Sequence, residues 1–201
     1  MLDRAASQLI HPAIQRLARL LVRAGLSANQ LTLAGFGIGL VAAVLIGTQH
    51  YLAAIVAILL SRLCDGLDGA VARETRPTDV GGFLDIALDF LFYAAIPLGF
   101  AVADPSRNAL AAATLLAAFV GTMASFLAFA VLAAKRQMHS LGYPDKSFYF
   151  LGGLTEATET LACFIAMCLW PQHFALLAYG YASLCLATTL TRIWWGWRAF
   201  S

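Results

Sequence analysis

The sequence predicts an all-α membrane protein, in which six transmembrane helices follow an N-terminal amphipathic helix lying in the membrane interface. Its 201 residues are 61% hydrophobic and only 12% charged, about half the charged fraction of a soluble domain. Six apolar segments each approach the roughly 20 residues that a helix needs to cross a bilayer. Basic residues collect on one side of these segments, as they do on the cytoplasmic face of membrane proteins. We expect a single domain over residues 1–201, with the bundle at 29–198.

The first predicted element is the interfacial helix, which with its linker occupies residues 1–28. Its large apolar side chains share one helical face: Ile10, Ile14, Leu17, Leu20 and Leu21. Its arginines share another: Arg16, Arg19 and Arg23. One apolar and one basic face are typical of a helix in the plane of the membrane surface. The regular spacing favours this interpretation over a basic tail without structure.

The six predicted spans are residues 31–48, 51–72, 82–102, 108–134, 153–170 and 174–195. Turn-forming residues separate them, for example Arg76-Pro77, Asp104-Pro105 and Gly142-Tyr143-Pro144. Six crossings place both termini on one side. That side holds the basic residues of the loops, tails and span ends apart from Arg107, so we expect both termini in the cytoplasm.

Four aspartates occupy positions where carboxylates are costly. Asp65 and Asp68 are three residues apart in the second predicted span, and Asp85 and Asp89 are four apart in the third, so each pair shares one helical face. The short turn between these spans makes them antiparallel neighbours and brings the pairs together. Four converging carboxylates repel unless cations bind them, and oxygen-only ligands suit Mg²⁺ or Mn²⁺. Two such ions would neutralise the four charges, and acids facing a bundle interior are functional by default.

Residues around these acids fit a binding site. The flanking glycines allow a ligand or a second backbone to approach closely, and they are Gly66, Gly69, Gly81 and Gly82. Arg73 follows Asp68 by five residues, where its guanidinium is placed to bind a phosphate in the same cleft. The alternative for Arg73 is an anchor at the lipid headgroups. Arg62, one turn before Asp65, is expected to pair with a carboxylate.

The pattern Asp65-x-x-Asp68-Gly69-x-x-Ala72-Arg73, followed after seven residues by Gly81-x-x-x-Asp85-x-x-x-Asp89, resembles the signature of the CDP-alcohol phosphotransferase family. The six-span layout agrees with that family along the whole chain. The resemblance implies that the first three aspartates bind metal and hold the CDP diphosphate, and that Asp89 is the catalytic base and also a metal ligand. It places the remaining signature positions at the nucleotide: Gly69, Ala72, Arg73 and Gly81.

A second local pattern precedes the first span. "SANQLTLAGFGIG" resembles the Asn-x-x-Thr sequence of the family, and the resemblance implies that Asn29 and Thr32 face the cytidine or pyrophosphate. Asn29, Thr32, Gly35 and Gly39 share one helical face, and the Gly35-x-x-x-Gly39 spacing permits close helix contact. Considered alone, Asn29 is also a possible helix cap.

The implied reaction belongs to phospholipid biosynthesis. An alcohol hydroxyl attacks the phosphorus of CDP-diacylglycerol, the phosphatidyl group is transferred to a polar acceptor alcohol, and CMP is released, with two Mg²⁺ or Mn²⁺ ions. One alternative is an aminoalcohol phosphotransferase that uses a CDP-aminoalcohol and diacylglycerol. A different class, a divalent-cation channel or carrier, also uses intramembrane acids, but here the acids lie at one end of the spans. The resemblance further implies a homodimer, and nothing indicates a nucleic-acid partner.

The acceptor is left open by the sequence. Lys135, Arg136 and Arg192 lie at span ends on the side of the acids, where they either bind an anionic acceptor or anchor the helices. Glu156 and Glu159 share a face near the start of the fifth span, where they either recognise hydroxyls or an amine, or pair with those cations. "KSFYFLGGLTEATET" resembles an uncharacterised bacterial branch of the family, which implies a bacterial inner membrane and leaves the substrate unnamed.

Overall fold

The chain is helical throughout the part that the computed structural model describes, residues 2–136 and 155–201, apart from short connections. The α-helices in these ranges are α1 (Leu2–Arg23), α2 (Ala28–Gly47), α3 (Tyr51–Glu74), α4 (Asp79–Ala103), α5 (Pro105–Lys135), α6 (Ala157–Leu169) and α7 (Phe174–Phe200). A 3₁₀ turn at Pro171–His173 joins α6 to α7. The predicted all-α class is confirmed.

Polar caps decide where three of the helices begin. Ser27 caps α2 in a reciprocal capping box with Gln30. Thr78 accepts a hydrogen bond from the backbone of Gly81 at the start of α4, and Asp104 accepts one from Arg107 at the start of α5. These helices begin at residues 28, 79 and 105, three before the predicted spans at 31, 82 and 108, because the capped first turn extends beyond the apolar stretch.

Four of the six predicted spans are confirmed by length and composition. They are Ala28–Gly47, Asp79–Ala103, Pro105–Lys135 and the combined segment Pro171–Phe200. The helix α3 is 24 residues long, but Arg62, Asp65 and Asp68 interrupt its apolar character. The helix α6 comprises 13 residues, and residues 153 and 154, where the fifth span was predicted to begin, lie outside the described residues.

The outer surface of the bundle is apolar. Leu52, Leu110 and Leu176 are each more than 70% exposed, and many other aliphatic side chains point outward in the same way. Soluble monomers rarely expose contiguous apolar area on this scale, whereas such side chains are favourable against lipid.

The helix α2 is central to the half of the bundle that holds the aspartates, because it packs along both α3 and α4. The helix α5 packs along α4 and α7, and α6 contacts α3 and α7. Buried phenylalanines tie these helices together at the core, and the rings of Phe100 and Phe174 stack with their centroids 4.4 Å apart. The C-terminal half of α3 and the first half of α4 thereby face one cleft next to α2.

The helix α1 packs against α3 with part of its predicted apolar face. Ile14 and Leu21 pack on a small core around Ala18 and Val71, whereas Leu17 and Leu20 are exposed. The side chain of Ile10 lies outside the described residues. The apolar residues of α1 therefore serve two contacts, one with the bundle and one with its surroundings. Ala18, and not a leucine, is the α1 residue fully buried against α3.

Candidate metal centre

A polar cleft opens where α2, α3 and α4 meet. It is lined by Thr32, Gly35, Phe36, Ser61, Arg62, Asp65, Asp68, Asp85, Leu88 and Asp89. All four predicted aspartates therefore face one cleft, as the helical spacing and the short α3–α4 turn predicted. A polar cleft between apolar helices has a low dielectric constant. The charges of its side chains must therefore be compensated by opposite charges or hydrogen bonds.

Three of the aspartates form a group that fits a metal ion. Asp65, Asp68 and Asp85 each direct a carboxylate oxygen so that the three oxygens lie within 4.8 Å of one another. Carboxylate oxygens are hard ligands that suit Mg²⁺, Mn²⁺ or Ca²⁺ rather than a thiophilic metal. Asp68 is only 5% exposed, so its charge has little access to water. The donor set and its convergence fit a divalent cation.

Thr32 orients one of these ligands. Its hydroxyl donates a hydrogen bond of 2.5 Å to Oδ2 of Asp68, and both residues are buried. This contact joins α2 to α3 within the site. A hydrogen-bonded neighbour of this kind fixes the orientation of a metal-binding carboxylate.

Asp89 lies in the same cleft but outside the group of three. It accepts a hydrogen bond from the guanidinium of Arg62, which also lies 3.5 Å from Oδ1 of Asp65. The prediction that Arg62 pairs with a carboxylate is confirmed. Asp89, predicted as a fourth metal ligand, is thus engaged by a side chain of the protein itself, and its role as a ligand stays a prediction.

Two glycines allow α2 to come close enough to complete the cleft. A Cβ on Gly35 would lie 2.9 Å from Cβ of Cys64 on α3, and one on Gly39 would lie 2.5 Å from the Phe92 ring on α4. Ser61 donates a hydrogen bond of 2.7 Å to the carbonyl of Gly35, which is possible only at this separation. The predicted close helix contact through Gly35-x-x-x-Gly39 is confirmed.

The other signature positions surround the cleft without lining it. Asn29 lies next to Gly81, because a Cβ on that glycine would lie 3.1 Å from Oδ1 of Asn29. The alternative that Asn29 caps a helix is wrong, since Ser27 occupies the N-cap of α2. Arg73 is exposed, and its guanidinium lies beside Gly69, 3.4 Å from a Cβ built there. Ala72 is partly buried next to it.

The basic residues suggested for acceptor binding lie elsewhere. Arg136 donates hydrogen bonds to the carbonyls of Ala199 and Phe200 at 3.2 and 2.8 Å, so it ties the end of α5 to the end of α7. Lys135 beside it is exposed. Arg192 is buried and donates to the carbonyl of Thr122 at 3.0 Å, which joins α7 to α5. These contacts favour structural roles for the two arginines.

The two glutamates are separated by the start of α6. Glu156 is the N-cap residue, one position before the helix, because the helix begins later than the predicted span, and the shared face with Glu159 stays a prediction. Glu159 lies in the first turn, and within the described residues its Oε2 is buried without a hydrogen-bond partner. Neither glutamate lines the acid cleft.

Among the residues that sequence reasoning missed are Ser61, which lines the cleft, and Phe92, which lies against the Arg62 guanidinium. Ser61 lies four residues before Asp65, and Phe92 lies three residues after Asp89, so helical spacing places each next to an acid. Their roles depend on α2 and on Arg62, which spacing along a single helix does not reveal.

These features define a class of protein: a multi-pass membrane protein whose aspartate cleft fits a divalent metal. Residues 26–195 match the CDP-alcohol phosphatidyltransferase family, and because the match covers most of the chain, the protein belongs to that family. It is therefore a transferase of this family.

Relatives extend this assignment. The chain is 54% identical over 197 residues to the inner membrane protein YnjF of Escherichia coli, covering 98% of this chain and 96% of that one. It is 33% identical over 108 residues to the archaetidylinositol phosphate synthase of Pyrococcus horikoshii, covering 53% of this chain and 57% of that one.

The fold is that of a solved family structure. The phosphatidylinositol phosphate synthase PgsA1 of Mycobacterium tuberculosis, in complex with manganese and citrate, superposes with a TM-score of 0.70 at 22% identity, covering 92% of this chain and 88% of that one. The same enzyme with CDP-DAG bound gives a TM-score of 0.68, covering 92% and 93%.

Proposed function

We propose that this protein transfers a phosphatidyl group from CDP-diacylglycerol to the hydroxyl of a polar acceptor alcohol and releases CMP, a step of phospholipid biosynthesis. The observation that carries the proposal is the convergence of Asp65, Asp68 and Asp85 within 4.8 Å in a chain of this family. PgsA1 has the same fold, and its solved structures contain manganese in one case and CDP-DAG in another. These ligands support the choice of metal and donor.

The aspartates have distinct roles in this reaction. Asp65, Asp68 and Asp85 would hold Mg²⁺ or Mn²⁺, which supplies positive charge for the donor diphosphate. Asp89 is the general base: it takes the proton of the acceptor hydroxyl as that oxygen bonds to the phosphorus carrying the diacylglycerol. The phosphorus–oxygen bond to CMP breaks in the same substitution. Asp89 lines the cleft, where an acceptor hydroxyl next to the donor phosphorus comes within its reach.

The nucleotide would bind at the cytoplasmic ends of α2, α3 and α4. Asn29 and Gly81 lie close together across α2 and α4, and Thr32 already contacts Asp68. Gly69 and Ala72 lack bulky side chains beside the exposed Arg73, so a diphosphate has access to its guanidinium. Arginine binds phosphate through paired N–H donors. This arrangement supports a nucleotide pocket on the cytoplasmic side of the acid cleft.

The placement of the site suits a reaction between a lipid and a water-soluble alcohol. We propose six spans, with α3 and α6 completing the four established by composition, in a bacterial inner membrane with both termini cytoplasmic. Acyl chains would then remain in lipid while the acceptor arrives from water. An apolar groove beside α4, with Phe83, Ile86 and Phe90 among its lining residues, is a suitable place for an acyl chain. We propose a single domain over residues 1–201 and, following the family, a homodimer.

The class of acceptor remains to be assigned. Arg136 and Arg192 are engaged by backbone carbonyls, which weakens their case as phosphate ligands, whereas the buried Oε2 of Glu159 favours an acceptor with a hydroxyl or amine donor. The aminoalcohol phosphotransferase alternative uses the same cleft with a CDP-aminoalcohol donor, so an assay of both donors separates them. The channel alternative is disfavoured because the acids lie at one end of α3 and α4.

The test measures CMP release in proteoliposomes that contain CDP-diacylglycerol and Mn²⁺ or Mg²⁺. We expect release to depend on the metal and to fall by about 100-fold or more in Asp89→Asn, the range for loss of a general base. Glu74→Gln, which removes an exposed acid outside the cleft, is the matched control and should retain activity. Separate reactions with glycerol 3-phosphate, serine and inositol phosphate, each followed by identification of the lipid product, assign the acceptor. Metal transport across the vesicle without CMP release would contradict the proposal.

A further inference from the structure

Arg62 is built into the acid cleft as an internal cation. It is the single basic residue among those that line the cleft in the described part of the chain, and its side chain is only 15% exposed. Its Nη1 atom contacts Asp89 and lies 3.5 Å from Oδ1 of Asp65. Its Nη2 atom donates a weak hydrogen bond of 3.4 Å to Ser61. The guanidinium therefore links two of the four carboxylates.

Aromatic rings hold this guanidinium in place. Cζ of Arg62 lies 4.0 Å above the centroid of Phe92 and 5.8 Å from that of Tyr93, within the range of cation–π attraction. Phe92 is only 1% exposed and packs edge-on against Phe164, so it forms a rigid base. A guanidinium between aromatic rings and carboxylates is pre-organised and has a defined position in the cleft.

The charge balance shows what Arg62 changes. With one arginine among the four aspartates of the cleft, the net charge is −3 instead of −4. One divalent ion then leaves −1 and two leave +1, whereas without the arginine two divalent ions would leave the cleft neutral. Arg62 contacts Asp89 directly, whereas the group whose carboxylate oxygens converge is that of Asp65, Asp68 and Asp85.

We propose that Arg62 is a resident counter-ion that takes the place of a second metal ion at Asp89. The free protein then binds one divalent ion, at Asp65, Asp68 and Asp85, and a second ion enters only after the guanidinium leaves Asp89. Arg62 is a positioning residue, because it holds Asp89 in the cleft through an ion pair before a ligand with additional negative charge arrives. This inference rests on the metal-dependent function proposed above.

The experiment counts bound Mn²⁺ per chain by equilibrium dialysis of the full chain in detergent micelles without nucleotide. The wild type should bind about one ion and Arg62→Gln about two, since the second pair of carboxylate oxygens is then free to ligate. Arg76→Gln removes an exposed arginine just beyond the C-terminal end of α3 and controls for the loss of one positive charge. This variant should bind about one ion.

A second variant keeps the inference testable if Arg62→Gln unfolds, since that change leaves a partly buried carboxylate without its partner. The double variant Arg62→Gln/Asp89→Asn removes both members of the pair and should fold and bind about one ion. Arg62→Gln itself should melt at a lower temperature than the wild type in EDTA and gain more from Mn²⁺.

The outcomes separate the two proposals. Two ions bound to the wild type and to Arg62→Gln alike would overturn the role of Arg62 and leave the metal-dependent function standing. Two ions in the double variant would also overturn it, because the second ion would then not need Asp89. Absence of bound Mn²⁺ from the wild type would overturn the proposed function itself.

Discussion

Asp68 is the most constrained of the three converging aspartates, Asp65, Asp68 and Asp85. It is nearly inaccessible to water, at 5% exposure, and its carboxylate is held by the hydroxyl of Thr32 across the α2–α3 contact. Burial of a carboxylate is costly unless hydrogen bonds or cations compensate it. The Thr32 hydroxyl compensates part of this cost, and a cation held together with Asp65 and Asp85 would compensate more of it.

The change Thr32→Val tests this hydrogen bond at the scale of one residue. We expect Mn²⁺ affinity to fall by about tenfold or more, as is usual when an outer-shell partner of a metal ligand is lost. Calorimetric titration with Mn²⁺ measures the change. Thr114→Val is the matched control, because Thr114 is a partly exposed residue that bonds only within its own helix. An equal effect of both changes would show that the Thr32 contact does not orient the ligand.

At the scale of the element, α2 determines whether the cleft closes. Its buried face carries small residues where it meets α3 and α4, and Gly39 lies directly against Phe92. Because Phe92 also supports Arg62, the separation between α2 and α4 is transmitted to the ion pair at Asp89. Small residues permit such approach in membranes, where packing rather than the hydrophobic effect holds helices together.

The change Gly39→Ala tests this packing. A Cβ there would lie 2.5 Å from Cδ2 of Phe92, and the buried ring has no free space to move into, so we expect a loss of about 1–3 kcal/mol from overpacking. Thermal unfolding in detergent measures it.

Gly37→Ala, on the same helix with no atom within 4 Å of the new Cβ, is the control for this change. It should be neutral or slightly stabilising, because alanine favours a helix over glycine. Comparable destabilisation by both changes would refute the packing argument.

At the scale of the whole molecule, the proposed metal centre joins separate parts of the bundle. Asp65 and Asp68 lie on α3 and Asp85 lies on α4, while α2 and α1 pack on α3 from other sides. A ligand bound by all three carboxylates therefore adds a direct connection between α3 and α4 to the Arg62–Asp89 ion pair that already joins them. Binding to the folded state alone raises stability by mass action.

Metal removal should consequently lower the melting temperature of the whole bundle. At Mn²⁺ concentrations 100 times the dissociation constant, one ion contributes about 2.7 kcal/mol, and EDTA should remove this increment. Asp68→Asn should abolish the response to Mn²⁺, whereas Glu74→Gln, outside the cleft, should keep it. A melting temperature that rises with Mn²⁺ in Asp68→Asn as it does in the wild type would contradict a site at these aspartates.

Several particular features could be predicted from the sequence. The helical spacing of Asp65 with Asp68 and of Asp85 with Asp89, joined by a short turn, was sufficient to predict that four carboxylates face one cleft. The Gly35-x-x-x-Gly39 spacing predicted a close contact, and Arg62 was expected to pair with an acid. These predictions succeed because each depends on the period of a single helix or on the shortest connection between two helices.

Other features depended on distances between helices. The engagement of Asp89 by Arg62, the contact of Thr32 with Asp68, and the binding of Arg136 to the carbonyls at the end of α7 all join residues on different helices. Which residues of α1 contact the bundle likewise depended on the side of α1 that packs on α3. Hydropathy also placed the starts of α2, α4 and α5 three residues too late, because their capped first turns extend beyond the apolar stretch.

The sequence by itself determined the class of this protein: helical periodicity, apolar length and the regular spacing of its acids are local properties, and they specify an all-α membrane protein with an aspartate cleft. Only the tertiary structure decided how the cleft divides its charges, with three carboxylates converging and the fourth held by Arg62. The physical reason is that ion pairing and ligand convergence depend on separations of a few ångströms between helices, and those separations are set by the packing of the whole bundle.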